Sequence, residues 1–168
     1  MKYRHQRRQL AKARAREVKL HLDAARKAIN EDDMRVAEQA CLSAIGKDPL
    51  IADPYHLLAH IAYSQGRLQN AGDHILEAAT RDEKNLGIHS DCGAIMNMLG
   101  RGAEAEAACR HVLESNPEHI QARNNLSVAL DLQGRRVEAL VECDRILSRE
   151  PTHVDALINK GSVLVKLG

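Results

Sequence analysis

The chain has 168 residues and nearly balanced charge, with 24 lysine and arginine residues against 23 aspartate and glutamate residues. This length fits one domain, and a composition with four prolines and no tryptophan or phenylalanine favours helices. No segment approaches the ~20 apolar residues of a membrane-spanning helix, and no apolar run follows the basic N-terminus as it does in a secretory signal. The sequence therefore predicts a helical protein of the cytoplasm.

The N-terminal segment is strongly basic. Residues 1–20 hold eight lysine and arginine residues and one glutamate, whereas the remainder of the chain is mildly acidic. Residues 1–17 contain no glycine or proline, so we predict a basic helix that is continuous with the segment after it. Its plain interpretation is a polar end cap for the domain, and the alternative is a docking helix for an acidic partner, an anionic lipid surface or nucleic acid. Because no aromatic residues are interleaved with the basic ones, we do not predict a nucleic-acid partner.

A period of 34 residues organises the rest of the chain. Glycines recur at this step, at Gly66, Gly100, Gly134 and Gly168. Alanines keep the same step, at Ala37, Ala71, Ala105 and Ala139. Several residue types that share one period without insertions indicate a repeat architecture.

Each period predicts two helices. In residues 52–85, Pro54 suits a first helical turn, an apolar stripe follows at helical spacing, and Gly66 supplies the left-handed conformation that ends a helix. A second apolar stripe then begins at Leu68, and a polar turn closes the unit. The predicted units are residues 18–51, 52–85, 86–119 and 120–153, with residues 154–168 forming the first helix of an incomplete fifth unit.

These features resemble the tetratricopeptide repeat. The closest match runs from Asn124 to Arg135 and continues with Glu138 and Ala139. The resemblance implies an all-α solenoid of stacked helix-turn-helix units, a right-handed superhelix of about four repeats plus a terminal helix. This chain departs from the family where it replaces large aromatic residues, at His21, Ala28, Met96, Arg123, Leu130 and three cysteines.

The four cysteines do not have the spacing of a disulfide framework. Cys41, Cys109 and Cys143 occupy one position of the repeat, and Ile75 fills the same position in the second unit. We expect buried, reduced thiols.

The candidate binding residues are polar positions of the first helices. Asp91, Asn125 and Asn159 form a series at the repeat step. They lie two residues before a series of small residues, Gly93, Ser127 and Gly161, so we expect them to point away from the core. Asparagine offers both a donor and an acceptor to the backbone of an extended peptide. The predicted peptide contacts on the concave face are His56, His60, Ser64, Asp91, Asn97, Asn124, Asn125, Asp131 and Asn159. The alternative is that these are solvated polar residues of a helix face.

The asparagine series is similar to the asparagine ladder in the repeat arrays of protein O-linked N-acetylglucosamine transferases. Asn125 and Asn159 match that ladder, Asp91 is an imperfect match, and Leu57 and Asp23 depart from it. The carboxylate clamp of chaperone-binding family members is absent, because only Arg26 among its positions is basic.

Histidines one helical turn apart, His56 and His60, share a helix face and could chelate a metal ion. Because the sequence shows no third ligand, we predict no metal and no cofactor, and we prefer a peptide contact or a pH-sensitive surface. There is also no phosphate loop, nucleophile elbow or HExxH motif, so we do not predict an enzyme.

The predicted function is a non-catalytic scaffold that binds an extended peptide or protein segment in the concave groove. The alternative is the substrate-recruiting arm of a longer protein glycosyltransferase. Leu157, Val163, Leu164 and Leu167 would lack a covering helix, so we expect the chain to belong to a longer protein. Self-association through this last helix or through the basic N-terminal helix is a further possibility.

Overall fold

A computed structural model describes residues 2–168, which form nine α-helices and two compact units. The first unit ends at Asp82 and contains α1 (Lys2–Asn30), α2 (Met34–Lys47), α3 (Asp53–Ser64) and α4 (Leu68–Arg81). The second unit, Glu83–Gly168, contains α5 (Leu86–Met98), α6 (Gly102–Ser115), α7 (Ile120–Leu132), α8 (Arg136–Leu147) and α9 (Val154–Leu167). Consecutive helices pack as hairpins within each unit, which confirms the predicted helix-turn-helix solenoid.

The basic N-terminal segment is part of α1, a single helix that continues to Asn30. Side chains from Tyr3 to Glu17 are exposed, and Val18 is the first buried residue. Glu17 pairs with Lys47 of α2 at 2.6 Å, which lowers the pKa of the Glu17 carboxyl. Along the part of the chain that the structure describes, no helix is both long and apolar enough to cross a membrane.

Small residues meet where the two helices of a repeat cross. Ala25, Ala59 and Ser127 of the first helices are at most 1% exposed. The alanines at the repeat step in the second helices, Ala37, Ala71, Ala105 and Ala139, are all fully buried. Side chains this small let two backbones approach closely, so the larger apolar residues interdigitate on either side.

The cysteines are core residues, as the sequence predicts. All four are free and buried. Burial raises the pKa of the Cys41 and Cys92 thiols to about 11 and that of Cys109 to about 12. The thiol form therefore predominates at neutral pH, and these side chains act as small apolar groups.

Within the second unit, one carboxylate links the hairpin of α5 and α6 to the hairpin of α7 and α8. Glu106 of α6 accepts hydrogen bonds from Gln133 at 2.8 Å and from Arg135 at 2.7 Å, both in the turn before α8. Burial raises the pKa of this carboxyl, but hydrogen bonds from Gln133, Arg110 and Arg135 outweigh that effect and lower it to about 2. Glu106 is therefore charged throughout the physiological range.

Glycines in the left-handed conformation end three first helices. Gly66, Gly100 and Gly134 have φ angles of 72°, 70° and 76°. In the first repeat the same position holds Asp32, with φ 59°. The turn closes with the same pair of backbone hydrogen bonds. Asp32 and Asp33 donate to Ile29 and Ala28, as Gly66 and Arg67 donate to Tyr63 and Ala62. An aspartate therefore occupies a conformation that favours glycine.

Replacing Asp32 by glycine tests this strain. We expect Asp32→Gly to raise the free energy of unfolding by about 0.5–1 kcal/mol, because the relieved steric cost exceeds the added freedom of the unfolded chain. Gly66→Ala, at the equivalent turn, should lower it by about 1 kcal/mol. Urea unfolding measures both changes, and a destabilised Asp32→Gly variant would show that the aspartate side chain stabilises the turn.

The close approach of α5 and α6 gives a second prediction. A Cβ atom at Gly93 would lie 2.6 Å from Cys109 Sγ, whereas a Cβ atom at the equivalent Gly161 would have no neighbour within 4 Å. Gly93→Ala should therefore cost about 1–3 kcal/mol through overpacking. Gly161→Ala should be neutral or should stabilise α9 by up to about 1 kcal/mol. Equal effects of the two substitutions in thermal unfolding would contradict the assigned packing.

Candidate peptide-binding face

The first helices of the second unit lie side by side. Helix α5 contacts α7, and α7 contacts α9. Within residues 83–168, all of which the structure describes, no comparable contact joins the second helices α6 and α8. The first helices are therefore closer together than the second helices, which makes their side of this unit the inner side.

An asparagine on α5 is bonded to the backbone of α7. Asn97 donates from Nδ2 to the backbone carbonyl of Asn125 at 2.8 Å. The side-chain oxygen of Asn125 accepts a bond from Gln121 Nε2 at 3.3 Å, and Asn125 is only 8% exposed. This candidate binding residue is thus covered by the neighbouring first helix.

A second asparagine pair joins α7 to α9. Asn159 donates from Nδ2 to Asn124 Oδ1 at 2.9 Å, and Asn124 is 6% exposed. The sequence predicts that Asn125 and Asn159 point away from the core. Instead, Asn124 and Asn125 are buried and Asn159 is half-buried, because the adjacent first helix packs over them.

Two buried amide atoms have no hydrogen-bond partner among the described residues, Asn97 Oδ1 and Asn125 Nδ2. Buried amide groups are normally paired, with protein or with ordered water. One is an acceptor and the other a donor, so together they match the two polar groups of a peptide bond or a bridging solvent molecule.

A cleft of about 220 Å³ opens between α7 and α9. It is lined by Ser127, Val128, Asp131, Leu132, Asn159, Ser162, Val163 and Lys166. Asp131 forms an ion pair with Lys166 and lies 3.7 Å from Arg136, and its side chain is 12% exposed. The cleft therefore combines a charged pair, an amide and two hydroxyl groups with apolar walls.

Two lining residues on α9, Lys166 and Ser162, were not predicted from the sequence. Lys166 lies 35 residues after Asp131, one residue more than the repeat step. An aspartate and a lysine at this separation fall on neighbouring first helices, so their spacing in the sequence could have predicted the ion pair.

In the first unit, the candidate residues lie along α3. The Nε2 atoms of His56 and His60 are 3.0 Å apart, and their ring centroids are separated by 4.6 Å. Ser64, one turn further, donates from Oγ to the backbone carbonyl of Ile61 at 2.9 Å. In the second unit, Asp91 is half-buried on α5. The structure therefore brings the two histidines together, while Ser64 bonds within its own helix.

Truncating Asn124 tests whether the buried asparagine pair supports the fold. We expect Asn124→Ala to cost about 1–2 kcal/mol relative to a matched surface substitution, because Asn159 loses its acceptor. The exposed Asn70 of α4 is the matched control, and Asn70→Ala should change stability by no more than about 0.5 kcal/mol. Chemical unfolding of both variants measures the difference, and equal stabilities would mean that Asn124 behaves as a solvated residue.

Comparison with known proteins tests the resemblance to the tetratricopeptide repeat family. The tetratricopeptide repeat sequence profile matches residues 52–85. No curated protein sequence matches the chain. Several solved structures are similar to this chain. The protein YrrB, described as a tetratricopeptide repeat protein with an unusual peptide-binding site, superposes with a TM-score of 0.78 at 19% identity. That match covers 87% of this chain and 75% of YrrB.

Two further structures are similar. MamA from Desulfovibrio magneticus, in a structure that begins at its residue 41, superposes with a TM-score of 0.79 at 13% identity, over 89% of this chain and 85% of that MamA chain. An O-GlcNAc transferase from Thermobaculum terrenum superposes with a TM-score of 0.59 at 25% identity, over 79% of this chain but 26% of the transferase. The chain therefore contains a tetratricopeptide repeat at residues 52–85, and its fold is that of tetratricopeptide repeat proteins.

Proposed function

We propose that the chain is a non-catalytic scaffold that binds an extended peptide or protein segment along its first helices. The observation that carries this proposal is the cleft between α7 and α9, where the Asp131–Lys166 pair and Asn159 border apolar walls. The residues proposed for this binding face are His56, His60 and Ser64 in the first unit, and Asp91, Asn97, Asn124, Asn125, Asp131 and Asn159 in the second.

The chemistry of the cleft suits a peptide backbone. Asn159 and Ser162 offer donors and acceptors, and the charged groups of Asp131 and Lys166 can each exchange their mutual contact for one to a ligand. Val128 and Leu132 provide apolar surface for a side chain. Such a cleft recognises a strand by its repeating polar groups and by one or two side chains.

The asparagine pairs contribute preorganisation. Asn97 fixes α5 to α7, and Asn159 fixes α9 to α7. Helices that are already held together lose little conformational freedom on binding, so the ordering of the peptide dominates the entropic cost. We therefore place Asn124 and Asn125 in a supporting role, with their neighbours on the cleft in direct contact.

Similarity to YrrB supports the proposal, since that protein is described as having a peptide-binding site. The described residues contain no catalytic motif that would favour an enzyme, and peptide binding requires no cofactor. A cytoplasmic location is part of the same proposal.

The experiment uses peptides selected from a phage-displayed library of random peptides on the purified chain. Binding of the selected peptides is then measured by fluorescence anisotropy for Asn159→Ala and Lys166→Ala. We expect each substitution to weaken binding about 5–10-fold, the loss of roughly one polar contact.

Lys160→Ala is the matched control, because Lys160 is on the same helix but pairs with Asp144 at 2.6 Å, away from the cleft. It should change the affinity less than twofold. If the selected peptides bind all three variants as they bind the wild type, the cleft is not the binding site.

A second candidate function is the substrate-recruiting arm of a longer protein glycosyltransferase. The match to the Thermobaculum terrenum O-GlcNAc transferase favours it, because that match spans a part of the enzyme corresponding to 26% of its length. The sequence of the gene around this segment decides: a nucleotide-sugar transferase domain in the same reading frame supports the arm, and a stop codon directly after Gly168 removes it.

Self-association through the basic part of α1 or through α9 is the remaining proposal about partners. Helix α9 carries exposed apolar side chains. Among them are Ile158 and Val165, which are 62% and 83% exposed. Sedimentation velocity at several concentrations tests it, and a monomer at all of them would exclude it.

A further inference from the structure

A pair of histidines on α3 has the geometry of a chelate. His56 and His60 lie one turn apart, and their Nε2 atoms approach to 3.0 Å with the rings tilted by 54°. His60 is exposed and His56 is half-buried, so the pair lies at the surface of the first unit. The sequence alone shows only the four-residue spacing, which leaves the direction of each ring open.

The separation of these nitrogens is that of two adjacent metal ligands. Metal–nitrogen bonds of about 2.0–2.1 Å that meet at a right angle place the two nitrogens about 2.8–3.0 Å apart, and a tetrahedral angle places them about 3.3–3.4 Å apart. The observed 3.0 Å therefore fits adjacent positions of a square-planar or octahedral ion, the geometries of Cu²⁺ and Ni²⁺. A small ring rotation reaches the tetrahedral value that suits Zn²⁺.

We propose that His56 and His60 chelate a late first-row divalent metal ion through their Nε2 atoms. The remaining coordination positions are filled by water or by groups of a second ligand. A hydrogen bond between the two Nε2 atoms and a shared metal ion are alternatives for the same pair of nitrogens, and metal binding requires the proton of each neutral ring to be on Nδ1. His56 and His60 are also among the proposed peptide contacts, but the test below measures metal binding alone, so its outcome is distinguishable from that of the peptide-binding proposal.

Other potential ligands of the chain are less suited. The thiols are buried, and burial raises the pKa of Cys41 to about 11 and that of Cys109 to about 12, so the thiolate that a metal needs is scarce at neutral pH. In the second unit, His89 and His111 are also close, with ring centroids 4.2 Å apart. There, His111 Nε2 lies 2.6 Å from the backbone carbonyl of Glu83 and donates to it, which leaves no lone pair on that nitrogen for a metal.

The experiment titrates tag-free protein with NiCl₂, and separately with ZnCl₂, by isothermal titration calorimetry at pH 7.5. We expect one ion per chain for the site on α3. His56→Gln and His60→Gln should each weaken binding at that site by at least about 10-fold, since even outer-shell substitutions at metal sites cost 10–100-fold.

His111→Gln is the matched control, because it removes a histidine from the other close pair, and it should change the affinity less than twofold. Nickel should also raise the Tm of the wild type and of His111→Gln, and leave that of the His56→Gln/His60→Gln double variant unchanged. Circular dichroism confirms that every variant is folded. Absence of binding to the wild type, or equal binding by the double variant, overturns the inference.

Discussion

The fold depends on how closely the two helices of each hairpin can approach. That approach is set by a column of small residues, such as Ala59 and Gly93 on first helices and Ala71 and Ala105 on second helices, which are buried at the crossings. Larger core residues pack around that crossing: Leu58 and Ile61 lie in one cluster with Ala25 and Ala37. The repeat therefore conserves size at the crossing more strictly than chemistry, which is why Ala, Gly and Ser interchange in one column while the 34-residue step is kept.

The positions that depart from the family pattern show two ways of replacing a large aromatic residue. Met96 and Leu130 are fully or almost fully buried and fill their space with apolar volume alone. Arg123 instead extends to Glu142 of α8, 2.6 Å away, and Arg145 pairs with the second oxygen of the same carboxylate. A charged group that is largely removed from water is tolerated there because both of its oxygens are paired.

Much of the fold could be predicted from the sequence. Glycine and alanine recur at a fixed step because each hairpin needs a left-handed turn residue and a small residue where its helices cross, and both requirements are local to the hairpin. Even the strained turn at Asp32 follows from its place 34 residues before Gly66. The candidate site was less accessible to such reasoning. Helical periodicity predicts which side of α7 carries Asn125. It does not predict that the side chain of Asn97, on α5, donates a hydrogen bond to the backbone carbonyl of Asn125. The direction of the His56 and His60 rings is likewise set by packing and not by spacing.

The burial of all four thiols protects them from alkylating reagents. All four cysteines lie within the described residues, and none is exposed. Alkylating probes react with accessible thiolates, so the native chain offers them almost no target. A single cysteine introduced at an exposed helix position would then carry a fluorophore or a spin label selectively, without prior removal of the natural cysteines. The interior of the repeats thus leaves the surface open for distance measurements by spectroscopy.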